Sequence, residues 1–166
     1  MNIECVKDKL VYAISKAERI TSKNITLPVL SCILLEAKNS SLTIKATNLD
    51  LGIEITIPVK VVKPGKVAVS GSILSNFISN ISNDKNIVLE EISGNLKVST
   101  SHSESVIKAF PVDDFPNIPR ISNGESFTFN TAGLIKGFKS VMYSASSSTI
   151  RPVLSSVMIY QNDEDD

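Results

Sequence analysis

The sequence has no tryptophan, a single histidine and only two cysteines, and its aromatic residues amount to 5%. Cys5 and Cys32 lie in apolar, strand-like surroundings without CxxC spacing, so neither a disulfide framework nor a cysteine-based zinc site can be built. They read as buried thiols. His102 sits between Ser101 and Ser103 with no sequence neighbour that makes a triad or a metal set, and reads as a solvent-facing turn or edge-strand residue. Gly-rich phosphate loops, HExxH and GxSxG are all missing. Glu90 and Glu91 are adjacent in a predicted strand, where neighbours point to opposite faces, so they do not share one site. Catalysis has no residues to stand on, and no metal or other cofactor is expected.

Long apolar runs are also missing. None approaches the ~20 residues that span a bilayer. Met1 leads straight into Asn2 and Glu4 without the basic and apolar regions of a signal peptide. No membrane association is expected, and a cytoplasmic location is. A charge of one sign is lacking too: 17 basic residues face 17 acidic ones. A wholesale electrostatic grip on a polyanion is therefore excluded, and any such grip must come from how the charges are distributed.

What is present is 166 residues with 42% hydrophobic and 20% charged side chains and a mean hydropathy of +0.13, enough for one ordinary core and a remainder. Asn2 to Val6 reads as a strand. From Lys7 to Ile20 the apolar spacing turns helical, with Val6, Leu10, Ala13, Ile14 and Ala17 on the core face. Lys9, Tyr12, Lys16 and Arg19 line the opposite side, and Lys23 continues the stripe. Strands are predicted at Val29 to Ala37, Leu42 to Thr47, Leu51 to Ile57 and, after the Pro64-Gly65 turn, Lys66 to Val69. A second helix, Ile73 to about Ser82, turns Ile73, Leu74, Phe77, Ile78 and Ile81 inward and presents Ser75, Asn76, Ser79 and Asn80. Strands at Ile87 to Glu91, Leu96 to Ser99 and Ser105 to Phe110 follow. The order strand, helix, three strands thus occurs twice, which defines an α+β fold.

Pro111, Pro116, Pro119 and Gly124 mark a linker. Beyond it a strand (Ser126 to Asn130), a helix (Thr131 to Ser144, with Leu134, Ile135, Phe138, Val141 and Met142 inward) and a strand (Val153 to Tyr160) are predicted. Sliding this tail back until Pro152 lies over Pro28 also superposes Val153 on Val29, Leu154 on Leu30, Ser155 on Ser31, Leu134 on Leu10 and Phe138 on Ile14. The frame indicates a duplicated domain. A whole second copy needs about 120 residues, so the tail is the truncated start of one. The expected division is 1–121 and 122–166.

Thr26-Leu27-Pro28-Val29-Leu30, the run Leu42 to Asp50, and Phe110-Pro111-Val112-Asp113-Asp114-Phe115-Pro116-Asn117, in this order and spacing, resemble the bacterial sliding clamp, the beta subunit of DNA polymerase III. The resemblance implies a non-catalytic processivity factor. It implies a homodimeric ring of three similar domains per subunit, encircling duplex DNA and tethering polymerase and clamp loader through short peptide motifs. The chain would be the first clamp domain and the beginning of the second. Helices facing the hole would then present phosphate-compatible residues: Lys9, Lys16 and Arg19 on the first helix, Lys136 and Lys139 on the third. The family's basic tip before the Thr-Leu-Pro run maps onto Lys23 and Asn24, and the matching second-domain loop, polar but uncharged, onto Ser146 to Ser148. The family's partner-peptide pocket maps in part onto Arg151 and Leu154, although Leu154 also suits a core position. Two alternatives stay open on the residues alone: a small α+β ligand-binding domain or enzyme using the groove between the two helices, and a truncated clamp-like adaptor.

Overall fold

Ile3 and Cys5 alternate with Asn2 and Glu4, the two-residue period of a half-buried strand, and Asn2–Val6 forms β1. Helix α1 follows at once, Lys7–Glu18, burying Leu10, Ala13, Ile14 and Ala17. The computed structural model describes residues 1–21, 27–82, 84–119, 126–148 and 150–160, in two units, Met1–Pro119 and Arg120–Asp166. In the first unit the order continues with β2 (Cys32–Lys38), β3 (Ser41–Thr47), β4 (Gly52–Pro58), β5 (Lys60–Lys63) and β6 (Gly65–Ser70), then α2 (Gly71–Ser79), β7 (Asn86–Ile92), β8 (Asn95–Ser99) and β9 (Glu104–Phe110). The strand-helix-three-strand unit is therefore repeated as β1-α1-β2-β3-β4 and β6-α2-β7-β8-β9. Strand β5 is an addition that sequence reading missed, because four residues between Pro58 and Pro64 are too few to show a period.

The strands make one sheet in the order β4-β3-β2-β6-β9-β8-β7-β1-β5. Each half lends its first strand to the other: β6 lies antiparallel to β2, and β1 antiparallel to β7. The register repeats as well. The last residue before each helix faces the first residue of the next half's strand, Val6 opposite Asn86 and Ser70 opposite Cys32. Strand β9 then joins the two halves, pairing with β8 from Glu104 to Lys108 and with β6 only at Ala109 and Phe110.

One apolar cluster fills the space between the sheet and both helices, taking Leu10 and Ile14 from α1, Leu74 and Ile78 from α2, and Leu42, Ile44, Ile87, Leu89, Leu96 and Val98 from the strands. The other face of the sheet is charged. Lys66, Glu36, Lys45 and Glu54 alternate in sign across β6, β2, β3 and β4, with Lys66–Glu36 at 3.1 Å, Lys45–Glu36 at 3.2 Å and Lys45–Glu54 at 3.7 Å. Cys5 and Cys32 are buried free thiols, and burial, helped by Glu4, pushes Cys5 up to about 12.

Three expectations for this unit need correction. Val6 and Ile73 are exposed rather than inward, Val6 because it ends β1 and caps α1, Ile73 because the apolar arc of α2 is wider than the face it can bury. The predicted strand at Val29 begins instead with a 3₁₀ turn, Pro28–Ser31, in which proline supplies the fixed φ of a helical first turn and Ser31 Oγ donates to the Pro28 carbonyl at 2.7 Å. The strand proper starts at Cys32.

In the second unit Thr131–Val141 forms α3, its first turn capped by Asn130 Oδ1, which accepts from the Gly133 N–H at 3.1 Å. Residues 126–130 and 156–160 form no strand, since a strand exists only with a ladder partner and none is present among the described residues. Pro152–Ser155 is again a 3₁₀ turn. Leu134, Ile135, Phe138, Val141 and Met142 are exposed, because no sheet covers the apolar face of α3.

Two outcomes are expected. Burial raises the Glu36 carboxyl, but hydrogen bonds and charge from Lys66 and Lys45 outweigh it and hold the group below the usual glutamate range. A depressed folded pKa stabilises above the unfolded value, so this contribution is full at neutral pH and is lost as pH falls below about 4.3. Urea unfolding midpoints of Glu36→Gln should therefore depend less on pH in that window than those of the unsubstituted chain. At Gly71 an added Cβ would stand 3.3 Å from both Ile33 Cγ2 and Thr21 Cγ2. Gly71→Val should accordingly destabilise by about 1–3 kcal/mol in denaturant titration.

Candidate nucleic-acid interface

Because the inner faces of α1 and α2 are committed to the core, only their outer faces are available. On α1 the exposed side chains are Asp8, Lys9, Tyr12, Lys16 and Arg19. The last four recur at intervals of three and four residues and so form one stripe, about 15 Å long at 1.5 Å per residue. Asp8 lies at its edge, and Glu18 is half-buried on another side. Lys16 is not extended at random: its ammonium stands 5.3 Å from the centroid of the Tyr12 ring, one turn back along the helix.

Helix α2 lies directly against α1. The Lys7 ammonium donates to the Ile81 carbonyl just past α2, and the glycine at position 71 lets the end of α1 and the start of α2 approach. The two helices thus touch at both ends of the groove that a ligand-binding reading would use. The outward residues of α2, Ile73, Asn76 and Ser79, carry no charge of either sign. The pair of helices consequently presents a surface with cations and neutral polar groups, on which an acid intrudes only at the margin.

The remaining expected residues are placed as follows. Lys23 and Asn24 lie outside the described residues. Lys136 and Lys139 are exposed on α3, where Ser140 Oγ donates to the Lys136 carbonyl at 2.8 Å. Ser148 is exposed in a tight turn, its N–H donating to Ser146 Oγ at 3.1 Å. Arg151 and Leu154 are brought together by the 3₁₀ turn, the Leu154 N–H donating to the Arg151 carbonyl at 3.0 Å, and both are exposed.

One cluster was invisible in the sequence. His102, in the β8–β9 turn, meets Asp84, which precedes β7 at the same open end of the β7–β8 hairpin. Its Nδ1 lies 3.4 Å from Asp84 Oδ1 and 3.1 Å from Ser101 Oγ, and Ser101 also donates to the Asp84 carboxylate. Hydrogen bonds from Ser101, then Thr100, then His102 hold the Asp84 carboxyl below its ordinary range. A proton relay needs the hydroxyl and the carboxylate on opposite ring nitrogens. Here both address Nδ1, so the cluster fastens a turn. Among the described residues no group of three or more His, Cys, Asp or Glu side chains is arranged to hold a metal, and no helix is long and apolar enough to cross a membrane.

Comparison with known proteins gives a consistent result. The sequence profile of the DNA polymerase III beta subunit, N-terminal domain, matches residues 1–119. The beta sliding clamp of Synechococcus elongatus is 23% identical over 159 residues, which are 95% of this chain and 42% of that protein. The crystal structure of the DNA polymerase sliding clamp from Caulobacter crescentus superposes with a TM-score of 0.87 at 21% identity, covering 93% of this chain and 42% of the other. The Helicobacter pylori beta clamp bound to a DNA ligase peptide superposes with a TM-score of 0.80 at 26% identity, covering 91% and 42%. The chain spans about two fifths of the length of these relatives. With the profile covering the whole first unit, the chain belongs to the DNA polymerase III beta subunit family, and residues 1–119 are its N-terminal domain.

Proposed function

We propose that this chain is the N-terminal part of a DNA sliding clamp, a non-catalytic processivity factor that encircles duplex DNA in the cytoplasm and tethers the replicative polymerase. In this reading residues 1–121 are the first clamp domain and 122–166 the beginning of the second. The observation that carries it is the outer stripe of α1, Lys9, Lys16 and Arg19, beside the uncharged outer face of α2. Such a surface suits phosphates, which are the same in every sequence. It is also weak by design. Each phosphate neutralised on duplex DNA contributes about −0.9 to the slope of log affinity against log salt, so three contacts change affinity only about 40-fold between 50 and 200 mM. Retention would then come from closure of the ring, and sliding from the weakness and sequence-independence of the contacts.

Lys136, Lys139 and Ser148 would be the DNA-facing residues of the second domain, and Lys23 and Asn24, just before the Thr-Leu-Pro run, would add to those of the first. Ring closure needs subunit contacts, and β9 offers one: from Glu104 to Lys108 it has, among the described residues, a ladder with β8 only, and Val106 there is 60% exposed. An unpaired strand edge of this kind accepts a strand from a second subunit. Arg151 and Leu154, adjacent on one turn and exposed, would form part of the pocket for short partner peptides of polymerase and clamp loader. The ligase peptide on the Helicobacter pylori clamp supports a peptide-docking role for the family.

The test uses the product of the complete reading frame carrying Lys9→Glu, Lys16→Glu and Arg19→Glu. Unfolding midpoint and far-UV circular dichroism should be unchanged, since all three side chains are exposed. Retention on closed circular DNA should fall severalfold, and protein on linear DNA should slide off in every case. Retention of the triple variant equal to that of the unsubstituted protein, or equal retention on linear and circular DNA, would contradict the proposal.

A further inference from the structure

A lysine on a helix surface swings through many rotamers, and an isolated contact from it to a phosphate is correspondingly poor. Lys16 is constrained: its ammonium stands 5.3 Å from the centroid of the Tyr12 ring, and Tyr12, 63% exposed, lies outside the apolar cluster that forms the core. We infer that Tyr12 is a positioning residue of the DNA-facing surface, its ring holding the Lys16 ammonium over the middle of the α1 stripe where a backbone phosphate of duplex DNA is received. The inference rests on the DNA-facing reading of α1 given above and adds to it the residue that orients the central cation.

The internal repeat shows that the pairing of ring and lysine is particular to α1. When Pro152 is placed over Pro28, the position of Tyr12 is taken by Lys136 and that of Lys16 by Ser140. The frame holds in three dimensions, for Pro28–Ser31 and Pro152–Ser155 are the same 3₁₀ turn and α1 and α3 both begin at matching positions, Lys7 and Thr131. Helical side chains lean toward the N-terminus, so a long residue covers the turn before its own Cα. Lys16 therefore delivers its charge to the level of Tyr12, and Lys136, by the same lean, delivers its own one turn earlier in the repeated frame.

The geometry predicts that Tyr12 acts through Lys16, which a cycle of variants in the full-length protein tests against a short duplex of mixed sequence. Lys16→Gln should reduce the salt slope by about 0.9, one phosphate contact. Tyr12→Leu should weaken binding about two- to fivefold, the range of an exposed cation–π contact. It should leave the slope unchanged, because the lysine remains charged. Tyr12→Phe, which keeps the ring, should restore affinity. In the Lys16→Gln background Tyr12→Leu should have no further effect, and in the free protein the upfield ring-current shift of the Lys16 ε-methylene protons should vanish with Tyr12→Leu and persist with Tyr12→Phe. Equal losses from Tyr12→Leu with and without Lys16 would overturn the inference, as would unchanged affinity of Tyr12→Leu beside a clear effect of Lys16→Gln. If Lys16→Gln itself changes neither affinity nor slope, the DNA-facing reading of α1 fails at this position and the inference falls with it.

Discussion

Leu10 and Ile14 of α1 and Leu74 and Ile78 of α2 are completely buried in one apolar cluster with strands from both halves of the sheet, and what the molecule can present outward depends on that shared core. Burying one such side chain is worth about 1.5–3 kcal/mol, whereas an exposed ion pair contributes about 0–1 kcal/mol. The core thus fixes the rotation of each helix about its axis, and the outer charges follow without influencing it. Lys9, Lys16 and Arg19 have little part in folding and are available to a partner. The reciprocal exchange of β1 and β6 between the halves strengthens the constraint, since neither half has a complete sheet alone.

Much of this arrangement was legible from periodicity. The helical spacing of α1 predicted both its buried face and its basic stripe, because one period determines both. The turn between β2 and β3 follows a local rule as well: Asn39 and Ser40 have positive φ, 49° and 59°, and asparagine tolerates that region better than most side chains. Local hydrogen bonding misled the reading of Pro-Val-Leu-Ser, where apolar β-branched character suggested a strand but proline and the serine hydroxyl fold a turn. The exposure of Ile73 was not legible, since no single-helix pattern says how wide an arc its neighbours will cover. Asp84 beside His102 and Lys16 over Tyr12 were invisible too, the first because sheet topology creates it, the second because it depends on side-chain lean rather than on residue type.

The duplicated segment separates local from non-local effects within one chain. Pro28–Ser31 and Pro152–Ser155 share a sequence and a conformation, with the serine hydroxyl bonded to the proline carbonyl in both. Burial differs completely: Leu30 is 1% exposed and Leu154 57%. The turn is written into four residues, whereas the burial of its leucine is not. The same contrast separates α1, buried on one face by four strands, from α3, whose equivalent face meets no strand among the described residues. For Leu154 this leaves a side chain displayed next to Arg151, in keeping with the proposed docking role.

The central claim is that the paired outer faces of α1 and α2 meet duplex DNA. The most direct measurement is amide and side-chain chemical-shift mapping of the isotope-labelled protein titrated with a short duplex at low ionic strength, where weak phosphate contacts are strongest. The account predicts shifts concentrated at Lys9, Tyr12, Lys16, Arg19, Asn76 and Ser79, fading together as salt is raised. Shifts concentrated instead on the charged sheet face around Glu36, Lys45 and Lys66, with the two helices unchanged, would contradict it.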